Sequence, residues 1–466
     1  MSSEKSKVHP YIPNSVPSVQ AKMLAEIGVT DIDELYSDIP DRLRFKGDMN
    51  LPEPLCSEYA LKSHVERILS KNKTSQEYIS FLGGGCWPHY VPAICDEINH
   101  RSEFLTAYAG EPYEDHGRFQ ALFEYESMMG ELLDMDVVNV PTFDWAQAAS
   151  TSIRMAERIT GRSEVLVCAT CSPGRLAVIR NYSRPAMKVI LVKACPETGR
   201  MDIDDLKAKM TSNTAAVYFE NPSYLGIIED QGAIISDIAH QNNAICIVGV
   251  DPISLGILSP PSHYGADIVC GDIQPLGMHM QYGGGQAGFI ATHEDERFVM
   301  EYPSRLFGIT KTAVEGEWGF GDVAFERTSF AHREKGNEFI GTATALWGIT
   351  AGVYLALMGP KGMQELGQLI MQKSQYAAKQ LSEINGIKAP PFQTAHFKEF
   401  IVDFNATGKT VGAINRALLH KGIFGGKDLS ADFSEFGSSA LYCVTEIHTK
   451  EDIDQLVESL NEIVKS

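Results

Sequence analysis

The sequence predicts an α/β protein, with a large domain built on a mostly parallel, helix-covered sheet and a smaller α+β domain after it. Three observations predict this. Between about residues 80 and 330, short β-rich runs alternate with helical segments, the pattern of strand–helix–strand units. Those runs are apolar almost throughout, as strands buried on both faces must be. Beyond about residue 340 the order changes to long helices with isolated strands between them. At roughly 150 residues per domain, 466 residues hold two or three domains. The expected boundaries are an N-terminal helical arm over 1–78, the large domain over 79–335 and the small domain over 336–466.

In chain order, VPSVQAKMLAEIGV carries apolar positions at helical spacing, and DIDELYSDIP reads as a short capped helix, with prolines at the joints. The strand-like runs are VLVCAT (165–170), KVILVKA (188–194), AAVYFEN (215–221), AICIVGVD (244–251), ADIVCGD (266–272) and AGFIATH (287–293). SPGRLAVIRNY, DIDDLKAKM and QGAIISDIAHQNN suit helices between them, with Asp202 or Asp204 placed to accept from the exposed amides of the second. Further on, FIGTATALWGITAGVYLALM is helical up to Gly359-Pro360, and KGMQELGQLIMQKSQYAAKQLSEI is helical again. FKEFIVDF and ALYCVTEI are strand-like, and VGAINRALLHKG and EDIDQLVESLNEIVKS are helical.

Composition narrows the function classes. Apolar residues make up 44% and charged residues 21%, which excludes a mainly disordered or collagen-like chain. The formal charge of -20 argues against general binding to nucleic acid or anionic membranes. No apolar run is long enough to span a bilayer, and the polar, proline-bearing start lacks the apolar middle of a signal peptide. Nine scattered cysteines, an odd number, argue against a disulfide framework and for a reducing cytoplasm. Cys168 and Cys171 form one CxxC without the second pair a zinc site needs, so no metal is expected there, and two small buried residues at a strand end account for it.

Three segments can carry chemistry. In DIVCGDIQPLGMHMQYGGGQAGFIA a strand runs into an irregular apolar stretch, then Gly283, Gly284 and Gly285, then another strand. Consecutive glycines allow close backbone approach and positive φ, but neither a Walker loop nor GxGxxG is present. FLGGGCWPHYVPAI places Trp87, His89 and Tyr90 beside a second glycine cluster, either a packed turn with aromatic plugs or a loop beside a small-molecule or carrier channel. TAYAGEPYEDHGRF gathers Tyr108, Glu111, Glu114, Asp115 and His116 ahead of a helix, a set that suits acid–base work, metal binding or a solvated loop.

Read in order, YIPNSVPSVQAKMLAEIGVTDIDELYSDIP, LPEPLCSE, FLGGG, EFLTAY, FEYESMMGELL, FENPSYLGIIED, VDPISLGIL, HYGADIVCGDIQPLGMHMQYGGGQAGFIAT, LALMGPKGM and CVTEIHTKEDID resemble, nearly end to end, the glycine cleavage system P-protein (glycine dehydrogenase, decarboxylating), subunit 1 of the N-terminal-half type. The resemblance implies the large and small domains of fold-type I pyridoxal phosphate (PLP) enzymes. It implies an α2β2 assembly in which a homologous subunit 2 carries the PLP-binding lysine. It also implies a reaction in which glycine loses CO2 and its aminomethyl group passes to the lipoyl arm of the H-protein.

A PLP enzyme needs a lysine amine to hold the cofactor. Counting from the DIVCGD strand to the glycine loop puts that position at Gln274-Pro275, and no lysine lies between Lys209 and Lys311. The acidic partner of the pyridinium falls by spacing on Gly249, with Asp251 two residues on, and the ring-stacking position falls on Ser172. The expectation is that this chain binds no PLP, contributes no catalytic residue of its own and supports a partner that does the covalent chemistry. Tyr108, Glu111, Asp144 and Gly283 to Gly285 then line or pack against the partner's site. The loops 106–119, 142–147 and 336–342 depart from the family pattern. A paralogue acting on another amino acid or amine, a non-catalytic scaffold and a metal enzyme built on the Glu-Asp-His loop are the alternatives.

Overall fold

The computed structural model describes the chain apart from residues 1–7, 10, 48, 105–115, 304, 339–342 and 466. It divides into two units, Met1–Asn72 and Lys73–Ser466. The first holds helices α1 (Pro17–Ile27) and α2 (Glu58–Leu69). Gly28, in the left-handed region at φ 87°, ends α1, and Asp31 and Glu34 form a reciprocal capping box on the turn after it. None of its described residues is buried, so this unit has no core of its own.

In the second unit, β1 (Ile79–Ser80) leads to α3 (Ala93–Asn99), α4 (His116–Leu133) and β2 (Val137–Val138). The alternating stretch comes next as α5 (Trp145–Thr160), β3 (Glu164–Cys168), α6 (Pro173–Ser183), β4 (Lys188–Val192), α7 (Ile203–Lys209), β5 (Thr214–Glu220), α8 (Gly232–Gln241), β6 (Ile245–Val250), β7 (Ile268–Asp272) and β8 (Gly288–Thr292). Each of the six strand-like runs of this stretch forms one strand, and Asp202 is the residue that caps α7, accepting from the amides of Asp204 and Asp205. The sheet order is β2-β8-β7-β6-β5-β3-β4, with β3 to β7 parallel and β8 antiparallel to β7. All seven residues of β5 are buried, because helices cover both faces of the sheet. Fully burying side chains such as Val165, Val217 and Ile247 contributes about 1.5–3 kcal/mol each.

The rest comprises α9 (Glu296–Val299), a hairpin of β9 (Phe307–Lys311) and β10 (Trp318–Asp322), α10 (Ser329–His332) and α11 (Ala345–Ser382). Gly359 breaks the helical geometry of α11 at φ 60°, ψ 177°, just before Pro360, so the two helical stretches read from the sequence meet there at a bend. Beyond it, β11 (Glu399–Asp403), β14 (Ser439–Cys443) and β13 (Lys427–Asp428) form a three-stranded antiparallel sheet packed on α12 (Val411–Leu419) and α13 (Lys450–Lys465). Strand β1 pairs in parallel with β12 (Ile423–Phe424). The backbone of Phe81 bonds to Phe424 and Cys443, which ties the glycine loop after β1 to this C-terminal sheet.

Candidate functional site

Ligands of open α/β sheets sit beyond the carboxyl ends of the strands, where strand order reverses. Here the chain passes from β3 to β4 on one side and then to β5 on the other, so the reversal falls between β3 and β5. Two helix N-termini flank this point, those of α5 and α6, and they are treated differently.

The α5 end is closed by carboxylates. Asp144 caps the helix by accepting the Gln147 amide at 2.7 Å, and the Gln147 side chain accepts the Phe143 amide at 2.8 Å. Asp272, at the end of β7, accepts the Trp145 amide at 3.2 Å, as well as the amides of Gln274 at 2.8 Å and Ala287 at 3.1 Å. Burial outweighs these bonds and pushes the Asp272 carboxyl up to about 7. Gly288 is forced by this arrangement, because a Cβ there would collide with the Asp144 carbonyl and the Thr142 hydroxyl. Trp145 and Tyr218 fill the space over β6: a Cβ at Gly249 would lie 2.8 Å from the Tyr218 hydroxyl and 2.9 Å from Cζ2 of Trp145.

The α6 end is open. Its N-cap residue, Ser172, is buried yet makes no side-chain capping bond. Arg175, in the first turn, donates from Nε and Nη2 to Glu220 at 2.7 Å each, joining α6 to the end of β5 across the reversal. Burial opposes the charge on Arg175, but Glu220 more than offsets it and holds the guanidinium protonated. The guanidinium stacks on Trp145, 4.0 Å from the ring centroid. Beside it, Cys171 donates to Glu220 at 3.2 Å and Cys168 contacts the Thr170 hydroxyl at 3.1 Å; burial pushes both thiols up, as for two small strand-end residues and not a reactive pair.

The Gln274-Pro275 position is an interior strut. The Gln274 side chain accepts the Trp87 amide and donates to the carbonyls of Trp87 and Met278, all at 3.1 Å. Beneath Trp87 runs a chain of buried polar groups. Lys398 pairs with Asp251, lies 3.5 Å from the Trp87 ring centroid and donates to His89 Nε2 at 3.2 Å. With its proton on Nδ1, His89 donates to Glu446 at 2.8 Å. Burial works against the Glu446 charge, but His89 and the Tyr90 amide hold its carboxyl down at about 2. Lys398 has a positive φ of 46°, a left-handed conformation that points its amine inward.

Of the residues singled out in the sequence, Asp144 lies at the α5 end and Pro275 in the strut. Gly283 and Gly284 form an exposed turn, and Gly285, buried beside them, approaches the His279 carbonyl too closely for a side chain. That turn meets the first glycine cluster, since Gln286 donates to the Gly85 carbonyl at 2.8 Å. Within the FLGGGCWPHY segment Trp87 is buried as a plug, whereas Tyr90 is exposed. Tyr108, Glu111, Glu114 and Asp115 lie outside the described residues. Among the described residues, no group of three or more His, Cys, Asp or Glu is placed to hold a metal. Glu338 bonds to Thr151 at 3.0 Å and to Tyr182, which fixes that part of the 336–342 segment on α5 and α6. A cavity of about 1100 Å³ lies between α4 and the Gly359 bend, lined mostly by apolar residues, with the paired Asp134 and His263 among its polar ones. Arg175, Glu220, Asp272 and Lys398 carry the site's electrostatics, and none stood out in the sequence.

The sheet order and the cleft at its reversal define the class: the fold of the fold-type I PLP enzymes. The solved sphingosine-1-phosphate lyase of Burkholderia pseudomallei shares this fold with a TM-score of 0.64 over 92% of this chain and 94% of its own, at 15% identity. A glycine decarboxylase (P-protein) of the glycine cleavage system, solved in inhibitor-bound form, is nearer, with a TM-score of 0.85 and 31% identity over 98% of this chain and 100% of its own. A family profile described as glycine cleavage system P-protein matches residues 9–460, and the chain belongs to that family. Relatives named probable glycine dehydrogenase (decarboxylating) subunit 1 are 40% identical over 465 residues in Staphylothermus marinus and 39% identical over 470 residues in Aeropyrum pernix, covering 98% of this chain and 98% and 99% of theirs. The resemblance read from the sequence therefore holds along the chain and reaches the subunit 1 type.

Proposed function

We propose that this chain is subunit 1 of a split glycine decarboxylase. In this reading it holds no PLP and is inactive alone. It assembles as α2β2 with a homologous, lysine-bearing subunit 2 that binds the cofactor, releases CO2 from glycine and passes the aminomethyl group to the lipoyl arm of the H-protein.

The observation that carries the reading is the α5 N-terminus. A cofactor phosphate needs free donors there, but Asp144 and Asp272 already accept from that turn, and the Asp144 carboxylate opposes a phosphate. The residues present do not fit PLP at three further points. Trp145 and Tyr218 crowd Gly249. Pro275 offers no amine. Lys398 does bring an amine inside, but Asp251 and His89 engage it and Trp87 covers it. The coreless first unit, with Tyr11, Phe45 and Tyr59 largely exposed, supports an obligate assembly. All nine cysteines are free, which supports a cytoplasmic setting, and among the described residues no helix is long and apolar enough to cross a membrane.

The test is affinity purification of the tagged full-length chain from its source lysate, with mass spectrometry of the co-purified proteins. The expected result is a similar-sized homologue with a lysine before its glycine loop, in a complex that exchanges glycine carboxyl with bicarbonate. Recovery of this chain alone contradicts the reading.

One observation favours a second reading, a scaffold that adds nothing to the partner's site: Asp144 is engaged as a helix cap of its own chain. Tyr108→Phe, Glu111→Gln and Asp144→Asn, made in the intact complex, separate the two. Lowered turnover with assembly unchanged supports pocket-lining roles, and unchanged turnover for all three supports the scaffold.

A further inference from the structure

The open α6 end has the makings of a ligand site that the closed α5 end lacks. Helix α6 spans Pro173–Ser183, and the amides of Gly174 and Arg175 in its first turn have no acceptor among the described residues. Ser172, 7% exposed, has no hydrogen-bond partner for its hydroxyl among the described residues. A Cβ on Gly174 would lie 3.8 Å from that hydroxyl, which places it against the free amides. The Arg175 side chain is 9% exposed, and while Nε and Nη2 hold Glu220, Nη1 has no acceptor among the described residues. A third, independent feature faces this end. Gly84 and Gly85 both take positive φ, 94° and 120°. A Cβ on Gly85 would meet nothing nearer than Arg175 Nη1, at 3.9 Å, so the turn faces the guanidinium with room for at least one heavy atom between them. A Cβ on Gly84 would meet the Tyr224 hydroxyl at 3.2 Å and Lys427 Cδ at 3.3 Å. Lys427 therefore stands beside the same turn, bonded to Tyr224 at 2.5 Å.

We propose that the space between the α6 N-terminus and the Gly84-Gly85 turn binds a small oxyanion, of carboxylate or phosphate type, through the Gly174 and Arg175 amides, the Ser172 hydroxyl and Arg175 Nη1, with Lys427 at its rim. The local carboxylates leave this place free. Glu220 is taken by the other two guanidinium nitrogens, Glu399 by the Gly84 amide at 2.5 Å, and Asp432 stands 3.5 Å from Lys427. Free amides at a helix N-terminus favour negative charge, and a guanidinium N–H with no acceptor among the described residues strengthens that preference. The site lies at the β3–β5 reversal, where an α/β sheet places its ligand. It uses no residue of the α5 end, and it stands or falls independently of the subunit assignment.

The experiment titrates the full-length chain, in low-salt buffer free of both ions, with inorganic phosphate and separately with acetate. Calorimetry and Trp fluorescence report binding, the latter because Trp145 stacks on Arg175. Saturable binding is expected for at least one anion. Ser172→Ala should weaken it about threefold or more, Lys427→Met by a similar factor and Arg175→Lys by at least about tenfold. Tighter phosphate binding identifies a phosphate-type ligand, and tighter acetate binding a carboxylate. Arg175→Lys disturbs a buried ion pair, so Ser172→Ala and Lys427→Met, checked for an unchanged circular dichroism spectrum, decide the matter. Absence of saturable binding by either anion overturns the proposal, as does binding that neither of these two variants weakens.

Discussion

The α5 and α6 N-termini meet where Arg175 stacks on Trp145, and they end in opposite ways. Helix α5 is sealed by Asp144 and Asp272, both from this chain. Helix α6 begins with a buried serine that makes no side-chain capping bond and an arginine with one nitrogen lacking an acceptor among the described residues. The lesson is that neighbouring helix ends on one sheet can be closed or left open by local choices of side chain.

The comparison can be broken first at its link, the Arg175–Glu220 pair. Glu220→Gln leaves a buried guanidinium without its counter-charge and should destabilise the unit by about 3–5 kcal/mol in urea denaturation. A loss under about 1 kcal/mol would mean that the two sides of the reversal are held by packing alone.

The sealed end sharpens the comparison through pH. The folded Asp272 carboxyl sits at about 7, above its unfolded value of about 3.9. The folded state therefore binds more protons between these values, so this contribution is fully present below about pH 4 and is lost as pH rises through 7, by about 4 kcal/mol. Asp272→Asn should remove that fall from the stability profile. Burial lowers His396 to about 4, which acts oppositely over much of the same window, so the difference between variant and parent, and not the parent's slope, is the measurement. An identical slope in both would show that Asp272 does not take up its proton in the folded state.

Smaller effects separate the two caps. Asp144→Ala should cost about 1 kcal/mol, because the Gln147 amide loses its acceptor, whereas Asp144→Asn should cost only a few tenths. Ser172→Ala, at a serine without a capping bond, should change stability by less than about 0.5 kcal/mol. Equal costs for the two alanine variants would erase the distinction between a closed end and an open one.

Six of the seven strands of the central sheet were legible because each is a short apolar run, whereas β2, two residues long, leaves no such run to read. The bend at Gly359-Pro360 was legible because both residues disrupt helices. The site was legible only in part. Asp144 and the Gln274-Pro275 position could be placed by resemblance and spacing. The Gln274–Trp87 strut and the Lys398–Asp251 pair join segments far apart in the chain, and no periodicity reports such pairing. Lys398 reads in sequence as a solvated lysine ahead of a strand, and only its left-handed backbone and the Trp87 ring turn it inward. Arg175 looked like an ordinary helix residue, because its buried partner, Glu220, lies on another strand.

The most direct test of the central claim is borohydride reduction of the purified chain after incubation with PLP, followed by peptide mass spectrometry, alone and in complex with its partner. The account predicts no stoichiometric pyridoxyl-lysine in this chain, Lys398 included, and a single labelled lysine in the partner. A stoichiometric pyridoxyl group on Lys398, or on any one lysine of this chain, would contradict it.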